Sequence, residues 1–288
     1  MSDDSICTDH SNHGYKRILC AIERDKDADV VLSLAGSLGK NGADLHVVSV
    51  SDAPQVEEES TYQSFLRGIE ERVRFSLGNQ QCDVHAEFGS AREKILSVAD
   101  EIDPDLIILG THAKAEPAKF MFGSTANHVL HFARCDVLAV RLEARVGVTA
   151  AAERYKQVTV AVDMHDTNPI QLLSRGRRLA ERCNFSLFNV LRLDECITQE
   201  RLDGGCLEEA YYRSETQMRE LGEKFSIPRE RQRIFVGSFN EALVALDKTD
   251  SVDLLILGNH RMGERLVIPI DALSAALRST QSDILVVR

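Results

Sequence analysis

The sequence lacks the long apolar runs, export signals and paired cysteines that define several broad classes of protein. No stretch of its 288 residues approaches the roughly 18 consecutive apolar residues that a transmembrane helix requires. Residues 1–14 have neither a basic start nor an apolar core, so they predict a disordered tail rather than an export signal. The seven cysteines contain no CxxC pair, which is typical of reduced thiols. These absences lead us to expect a cytoplasmic protein.

The sequence also has fewer basic residues than acidic ones. The chain has 34 lysines and arginines against 45 aspartates and glutamates, which gives a formal net charge of −11. Nucleic acids and anionic membranes attract clustered basic side chains, so this balance argues against both kinds of partner. With 43% hydrophobic residues the chain can still bury a sizeable core, and its length allows two domains of roughly 140 residues.

One pattern occurs twice along the chain. Asp105 to Arg141 contains an apolar run, a glycine, a polar loop, a helix-like stretch and a second apolar run, and Asp253 to Arg288 repeats that order. A basic lead-in, a short apolar run and an acidic residue occur at Tyr15 to Glu23 and again at Tyr155 to Asp163. Because two segments match in the same order about 140 positions apart, the pattern indicates an internal duplication.

Each half alternates short apolar runs with amphipathic segments, which predicts strands connected by helices. Short apolar runs bounded by breakers are typical of strands buried on both faces of a parallel sheet. Right-handed crossovers then give an α/β fold with two doubly wound five-stranded parallel sheets of order 3-2-1-4-5. We divide the chain into a tail (1–14), a first repeat (15–141), a linker (142–154) and a second repeat (155–288).

The main candidate site lies beyond the fourth predicted strand of the first half. Gly110 follows that apolar run, and Gly123, Ser124 and Thr125 open the next helix-like stretch. Free backbone N–H groups and the positive end of a helix dipole favour an anion there, and phosphate is the anion we expect. In a 3-2-1-4-5 sheet these residues meet Glu23, at the end of strand 1, where the strand order reverses and ligands bind.

On these residues the chain resembles a tandem member of the universal stress protein family, with its adenine nucleotide alpha hydrolase-like fold. ATP-binding members carry G-x2-G-x9-G-S/T after strand 4, and this sequence has Gly110, Ala113 in place of the second glycine, and Gly123-Ser124 at the family's spacing. The resemblance implies a stress-response regulatory protein that binds ATP, with or without Mg²⁺. The residues it assigns to the nucleotide are Glu23, Val47, Gly110, His112, Ala113, Gly123, Ser124 and Thr125.

The resemblance implies separate roles for Val47 and Glu23, and it implies that the second half has lost its nucleotide site. Val47 would pack on the base and Glu23 would meet the ribose, the base or Mg²⁺. In the second half Arg261 replaces the second glycine, and Asp271 stands where the Gly-Ser pair would begin. A carboxylate at that helix start would cap the N–H groups and repel a triphosphate, so we expect ATP in the first repeat only.

The resemblance also implies how the halves pack. The last strands, Val137 to Arg141 and Ile284 to Arg288, would pair and so make an intramolecular pseudo-dimer, which protects two sheet edges. Further self-association of the chain stays open. The segment from Asp194 to Phe225 is a candidate docking site for a partner protein. Its Glu-rich stretch, Glu208 to Glu223, is either a solvated helix face or a docking surface that uses Tyr211, Tyr212 and Met218.

Other interpretations stay open beside ATP binding. In the main alternative both crevices have lost nucleotide binding, and the protein is a scaffold or binds another ligand. An enzyme beyond weak ATP hydrolysis has little support, because no nucleophile and base stand at recognisable spacing. Gly110 is alternatively a turn glycine, and Ser124 and Thr125 are ordinary helix caps. Metal-ligand spacing occurs in the tail at Cys7, His10 and His13.

Overall fold

The computed structural model describes most of both halves. It describes residues 14–23, 27–52, 59–111, 124–142, 154–163, 169–180, 183–192, 205–249, 251–258, 261–262, 265–266, 276 and 280–288. The tail residues Cys7, His10 and His13 lie outside these ranges. No helix within them is both long enough and apolar enough to cross a membrane.

The first half alternates strands and helices, as the apolar pattern predicts. Its elements are β1 (Arg17–Ile22), α1 (Ala28–Gly39), β2 (Asp44–Ser51), α2 (Glu59–Leu77), β3 (Asp83–Phe88), α3 (Ala91–Ile102), β4 (Leu106–Thr111), α4 (Ser124–Phe132) and β5 (Asp136–Arg141). The central strands β1, β4 and β5 are buried on both faces, which explains why their sequences are continuous apolar runs.

The second half repeats this order with a longer middle. Its elements are β6 (Gln157–Ala161), α5 (Pro169–Leu179), β7 (Asn184–Leu191), α6 (Gly205–Phe225), a 3-10 turn (Arg229–Arg231), β8 (Gln232–Val236), α7 (Phe239–Thr249), β9 (Leu254–Gly258), a hairpin of β10 (Arg261–Met262) and β11 (Arg265–Leu266), and β12 (Asp283–Val287). The apolar spacing in the sequence predicts that Ile170, Leu173, Leu179 and Ala180 face the core, and Ile170 is wrong, because it is 42% exposed. The buried stripe runs through Leu172, Leu173 and Leu179, and Ile170 lies at its margin.

The ten longer strands form one continuous sheet. Their order is β3-β2-β1-β4-β5-β12-β9-β6-β7-β8, so each half has the predicted 3-2-1-4-5 arrangement. The halves join through β5 and β12, which pair antiparallel with Ile284 opposite Ala139 and Val286 opposite Val137. The predicted pairing of the last strands is therefore confirmed, and β3 and β8 form the two outer edges.

A hydrophobic core lies on each face of the sheet, because successive strand side chains point to opposite sides. Ile18 and Cys20 of β1 pack with α1 and α2, whereas Leu19 and Ala21 pack with α3 and α4. The same two cores continue under the helices of the second half, where Met218 of α6 belongs to the first. Each fully buried aliphatic side chain contributes about 1.5–3 kcal/mol of transfer free energy.

A buried ion pair holds one side of the junction between the halves. Asp283 of β12 accepts hydrogen bonds from Arg154 Nε at 2.5 Å, the Tyr155 hydroxyl at 2.8 Å and the Arg141 backbone N–H at 2.7 Å. The side chains of Arg154 and Asp283 are only 1% and 3% exposed. Arg154 ends the segment predicted as a linker, so this end of the segment is part of the packed junction.

A matching carboxylate holds the other side of the junction. Asp136 of β5 accepts hydrogen bonds from the Tyr15 hydroxyl at 3.1 Å and from the Arg288 backbone N–H at 3.0 Å. Its ion-pair partner is Arg175 of α5, at 3.2 Å, whose side chain is 23% exposed. The two aspartates thus occupy equivalent places, but the arginine beside Asp136 is reached by water and Arg154 is not.

Candidate functional site

A cleft of about 240 Å³ opens at the carboxyl ends of β1 and β4, where the strand order of the first half reverses. It brings together three of the residues that the sequence pointed to, namely Glu23, Gly110 and Thr125. The lining residues are Ala21, Ile22, Glu23, Asp27, Ala28, Val31, Val48, Val50, Ala91, Ile95, Leu109, Gly110, Thr111, Thr125, Ala126 and Leu142. Most of these side chains are apolar, so the cleft has a hydrophobic floor.

Three helices begin at the rim of this cleft. Ala28 of α1, Ala91 of α3 and Thr125 of α4 each lie in the first turn of their helix and line the cleft. The positive ends of the three helix dipoles therefore point toward the same space. Glu23 and Asp27 are the charged side chains among the described lining residues. The cleft thus combines backbone donors, which suit an anion, with two carboxylates, which suit hydroxyl groups or a cation.

Gly110 has a packing role that the sequence did not reveal. It lies inside β4 rather than in a turn, and it is not among the described glycines with a positive φ. A Cβ atom at this position would lie 2.8 Å from Leu142 Cδ1. Leu142, the first residue of the segment predicted as a linker, is buried and lines the cleft. Gly110 therefore lets Leu142 pack flat against β4 at the edge of the site, and the turn-glycine interpretation does not hold.

The side chains that β2 presents to the cleft differ from the predicted one. Val47 is fully buried and packs in the core beneath α1 and α2. Val48 and Val50, on the other face of β2, line the cleft. The apolar contact surface offered by this strand is therefore made by Val48 and Val50 rather than by the side chain of Val47.

Part of the predicted phosphate loop lies outside the described residues. This applies to His112, Ala113 and Gly123, and to the side chain of Ser124, which is the first residue of α4. Asp271 of the second half also lies outside them. Sequence reasoning missed Asp27 and Leu142. A signal for Asp27 existed, since an acidic residue directly before an apolar helix is typical of a helix start.

The second half differs from the first at the floor of the equivalent position. Strand register aligns Ala161 with Phe188 in the way that Ala21 aligns with Val48, so Phe188 takes the place of Val48. Phe188 is 3% exposed and packs in the core. The same register matches Val190 with Val50. A phenylalanine ring therefore stands where the first half has a valine.

Helix α6 has two tyrosines at its surface and a methionine in the core. Tyr211 and Tyr212 are 40% and 58% exposed, which keeps them available for a partner. Met218 is 1% exposed and packs in the core beside Leu221. The inclusion of Met218 in a docking surface was therefore wrong, because this side chain anchors the helix to the sheet.

Comparisons with known proteins agree with this architecture. Residues 14–141 match the model of the universal stress protein family. A protein of Staphylococcus aureus strain USA300 that bears the universal stress protein name is 31% identical over 163 residues, which cover 49% of this chain and 98% of that relative.

Solved structures extend the likeness to both halves. A functionally unknown protein from Pseudomonas aeruginosa PAO1 has a TM-score of 0.66 at 16% identity, covering 96% of this chain and 93% of that one. A universal stress protein from Archaeoglobus fulgidus DSM 4304 has a TM-score of 0.62 at 12% identity, covering 96% and 97%. At such identities the likeness concerns the fold.

Proposed function

Because the chain belongs to the universal stress protein family, we propose that it is a stress-response regulatory protein that binds an adenine nucleotide, ATP, in the cleft of its first half. The observation that carries this proposal is the meeting of Glu23, Gly110 and Thr125 where the strand order reverses. Open parallel sheets bind ligands at that point, outside the carboxyl ends of the strands.

The lining suggests an orientation for the nucleotide. The phosphates lie at the start of α4, near Thr125, where backbone N–H groups and the helix dipole favour negative charge. The base packs on the apolar floor formed by Val48 and Val50. Glu23 and Asp27 accept hydrogen bonds from the ribose or share Mg²⁺ with the phosphate oxygens. Gly123, Ser124, Ala113 and His112 complete the phosphate loop in this proposal.

We assign the nucleotide to the first repeat (15–141) and not to the second (155–288). Phe188 fills space that Val48 leaves open in the first half, which supports this assignment. Asp271, at the predicted start of the corresponding helix, supports it through charge repulsion. The second repeat then serves as a structural partner that pairs with the first through β5 and β12.

A pair of variants tests the position of the phosphates. Thr125→Asp places a carboxylate at the start of α4, whereas Thr125→Asn has nearly the same shape without the charge. A negative charge at a helix N-terminus stabilises the helix, so the aspartate variant should fold at least as well. We expect Thr125→Asp to weaken Mg-ATP binding at least tenfold, about 1.4 kcal/mol, relative to Thr125→Asn.

Two measurements read this out. Thermal unfolding with Mg-ATP at a hundredfold excess over the dissociation constant should show about 2.7 kcal/mol of added stability. Mass spectrometry of small molecules released by denaturing the purified protein should identify an adenine nucleotide. Equal binding by both Thr125 variants would overturn the phosphate position. The absence of both a released nucleotide and a thermal shift would overturn nucleotide binding itself.

A second candidate is a protein of the same fold that binds a ligand without phosphates. The observation in its favour is the lining, which is apolar apart from a few groups and whose charged side chains are carboxylates. Such a cleft suits a hydrophobic or cationic small molecule. Release of a ligand of that kind on denaturation, without any response to Mg-ATP, would establish this alternative.

A further inference from the structure

A second cluster of polar side chains lies on the outer edge of the sheet. Asp44 and His46 come from β2, and Asp83 and His85 come from the edge strand β3. Register places His46 beside Asp83, and residues two apart on a strand share a face, so all four side chains lie on one face. The four residues, here called the edge cluster, play no part in the junction between the halves.

The ring nitrogens of the two histidines face each other within the edge cluster. Nδ1 of His46 lies 3.2 Å from Nε2 of His85 and 3.8 Å from Oδ2 of Asp83. The other ring nitrogen of His46, Nε2, lies 3.3 Å from Oδ2 of Asp44. His46 is only 8% exposed, so a second imidazole and two carboxylates surround a largely buried ring. Imidazole and carboxylate groups gathered in this way are ligands that transition-metal ions bind.

Asp44 sets the tautomer of His46. Arg17 Nε donates to Asp44 Oδ2 at 3.0 Å, and the same carboxylate oxygen lies 3.3 Å from Nε2 of His46. An ionised Asp44 favours a proton on the nearby Nε2 of His46. The lone pair of Nδ1 then points at His85 and at the Asp83 carboxylate, which is an arrangement of electron pairs that a cation would stabilise.

We propose that His46 Nδ1, His85 Nε2 and Asp83 Oδ2 bind a divalent transition-metal ion of the zinc class, with water in the fourth position. Zinc bonds nitrogen at about 2.0 Å in tetrahedral geometry, which sets ligand atoms about 3.3 Å apart. The two histidine nitrogens already have this spacing. Asp83 Oδ2 lies 3.8 Å from His46 Nδ1, and because its side chain is 76% exposed it can rotate to bring the carboxylate toward both histidine nitrogens.

The chemistry of the edge cluster selects the ion. Imidazole nitrogen with one carboxylate suits zinc and its neighbours, whereas Mg²⁺ and Ca²⁺ prefer sites made of oxygen. Asp44 would act as the carboxylate that orients a metal-bound histidine from behind.

Zinc titration of the full chain, stripped of metal with a chelator, tests the edge cluster. The tail residues Cys7, His10 and His13 also have metal-ligand spacing, so the parent protein for this test carries C7S, H10Q and H13Q together. We expect calorimetry to show one Zn²⁺ per chain in this parent. Co²⁺ should give the visible absorption of a four-coordinate site, and a large excess of Mg²⁺ should not displace Zn²⁺.

Three variants in that parent assign the ligands. His46→Gln and the pair D83N with H85Q should each abolish the titration, and Asp44→Asn should weaken binding roughly 10–100-fold, as removal of an orienting carboxylate does elsewhere. His128→Gln, on α4, should change nothing. The D83N and H85Q pair changes less buried positions, so it decides the question if the His46 variant does not fold.

Several results would overturn the metal site. Loss of Zn²⁺ binding in the tail variant alone would assign the ion to the tail. Unchanged binding in the D83N and H85Q pair, or displacement by Mg²⁺ at equal concentration, would remove the nitrogen ligands from the proposal. This site is separate from the nucleotide cleft, and its test does not depend on ATP binding.

Discussion

Replacing Asp283 with asparagine should destabilise the protein far more than the same change at Asp136. In the native structure Asp283 neutralises Arg154, whose side chain is 1% exposed, and also accepts from Tyr155 and from the Arg141 backbone. Asparagine keeps the shape and one acceptor oxygen but leaves a buried guanidinium without its counter-charge. A buried pair that loses one partner costs about 3–5 kcal/mol, and we expect this range for Asp283→Asn.

The equivalent change on the other side of the junction is the matched control. Arg175, the partner of Asp136, has a side chain that is 23% exposed, so water can solvate its charge when the carboxylate is removed. We expect Asp136→Asn to cost about 1–3 kcal/mol, the range for one unsatisfied buried group. The difference between the two variants measures the contribution of burial rather than of hydrogen-bond geometry.

Urea unfolding at pH 7 measures both effects. The midpoint should fall further for Asp283→Asn than for Asp136→Asn, with similar slopes if both native states stay intact. Adding Arg154→Met to Asp283→Asn removes the isolated charge and should restore about 1–2 kcal/mol. Equal losses for the two aspartates, or no recovery in the double variant, would refute the view that a desolvated charge pair holds the junction.

Three further predictions concern packing, pH and thiol chemistry. In urea unfolding, Gly176→Ala should destabilise the protein by about 1–3 kcal/mol, because a new Cβ would lie 2.6 Å from Ile256 Cδ1. Gly68→Ala on α2 is the control, because its Cβ would meet open space, and it should stabilise the protein by about 0.5–1 kcal/mol. Burial raises the pKa of Asp136 above the 3.8 of an unfolded chain, so the native state takes up this proton first. The stability of the wild type relative to Asp136→Asn should therefore fall as pH rises above about 4, and a rise in unfolding experiments across that range would contradict the shift. Burial also raises the pKa of Cys135 to about 12, so peptide mapping should show slow alkylation by iodoacetamide at pH 8 in the native protein and fast alkylation in urea.

The strands and their order were the part of the fold that sequence could predict. Leu106 to Leu109 and Val137 to Val140 are apolar runs bounded by breakers, and the repeat fixed which strands were equivalent. The orientation of β2 was not predictable in the same way. The strand is apolar at Leu45, Val47, Val48 and Val50, so the alternation that would show which side faces the cleft is absent. The resemblance assigned Val47 to the base, whereas the side chains of Val48 and Val50 line the cleft.

Contacts between distant residues were the other part that sequence could not predict. Arg154 looked like one charge in a polar linker, because its partner Asp283 is 129 residues further along the chain. His46 and His85 are 39 residues apart, and only the register of β2 with β3 brings them together. The prediction that Ile170 is buried was also wrong, because a helix with few apolar residues allows more than one choice of buried stripe.

The antiparallel join of β5 to β12 has a consequence for dilution. Two separate chains that pair through an edge strand come apart when their concentration falls below the dissociation constant. Here the two edges belong to one polypeptide, so their pairing has an effective concentration in about the millimolar range for a short connection and does not depend on how much protein a cell makes. Substitutions in one half, such as phenylalanine at position 188, can therefore accumulate without separating that half from the other.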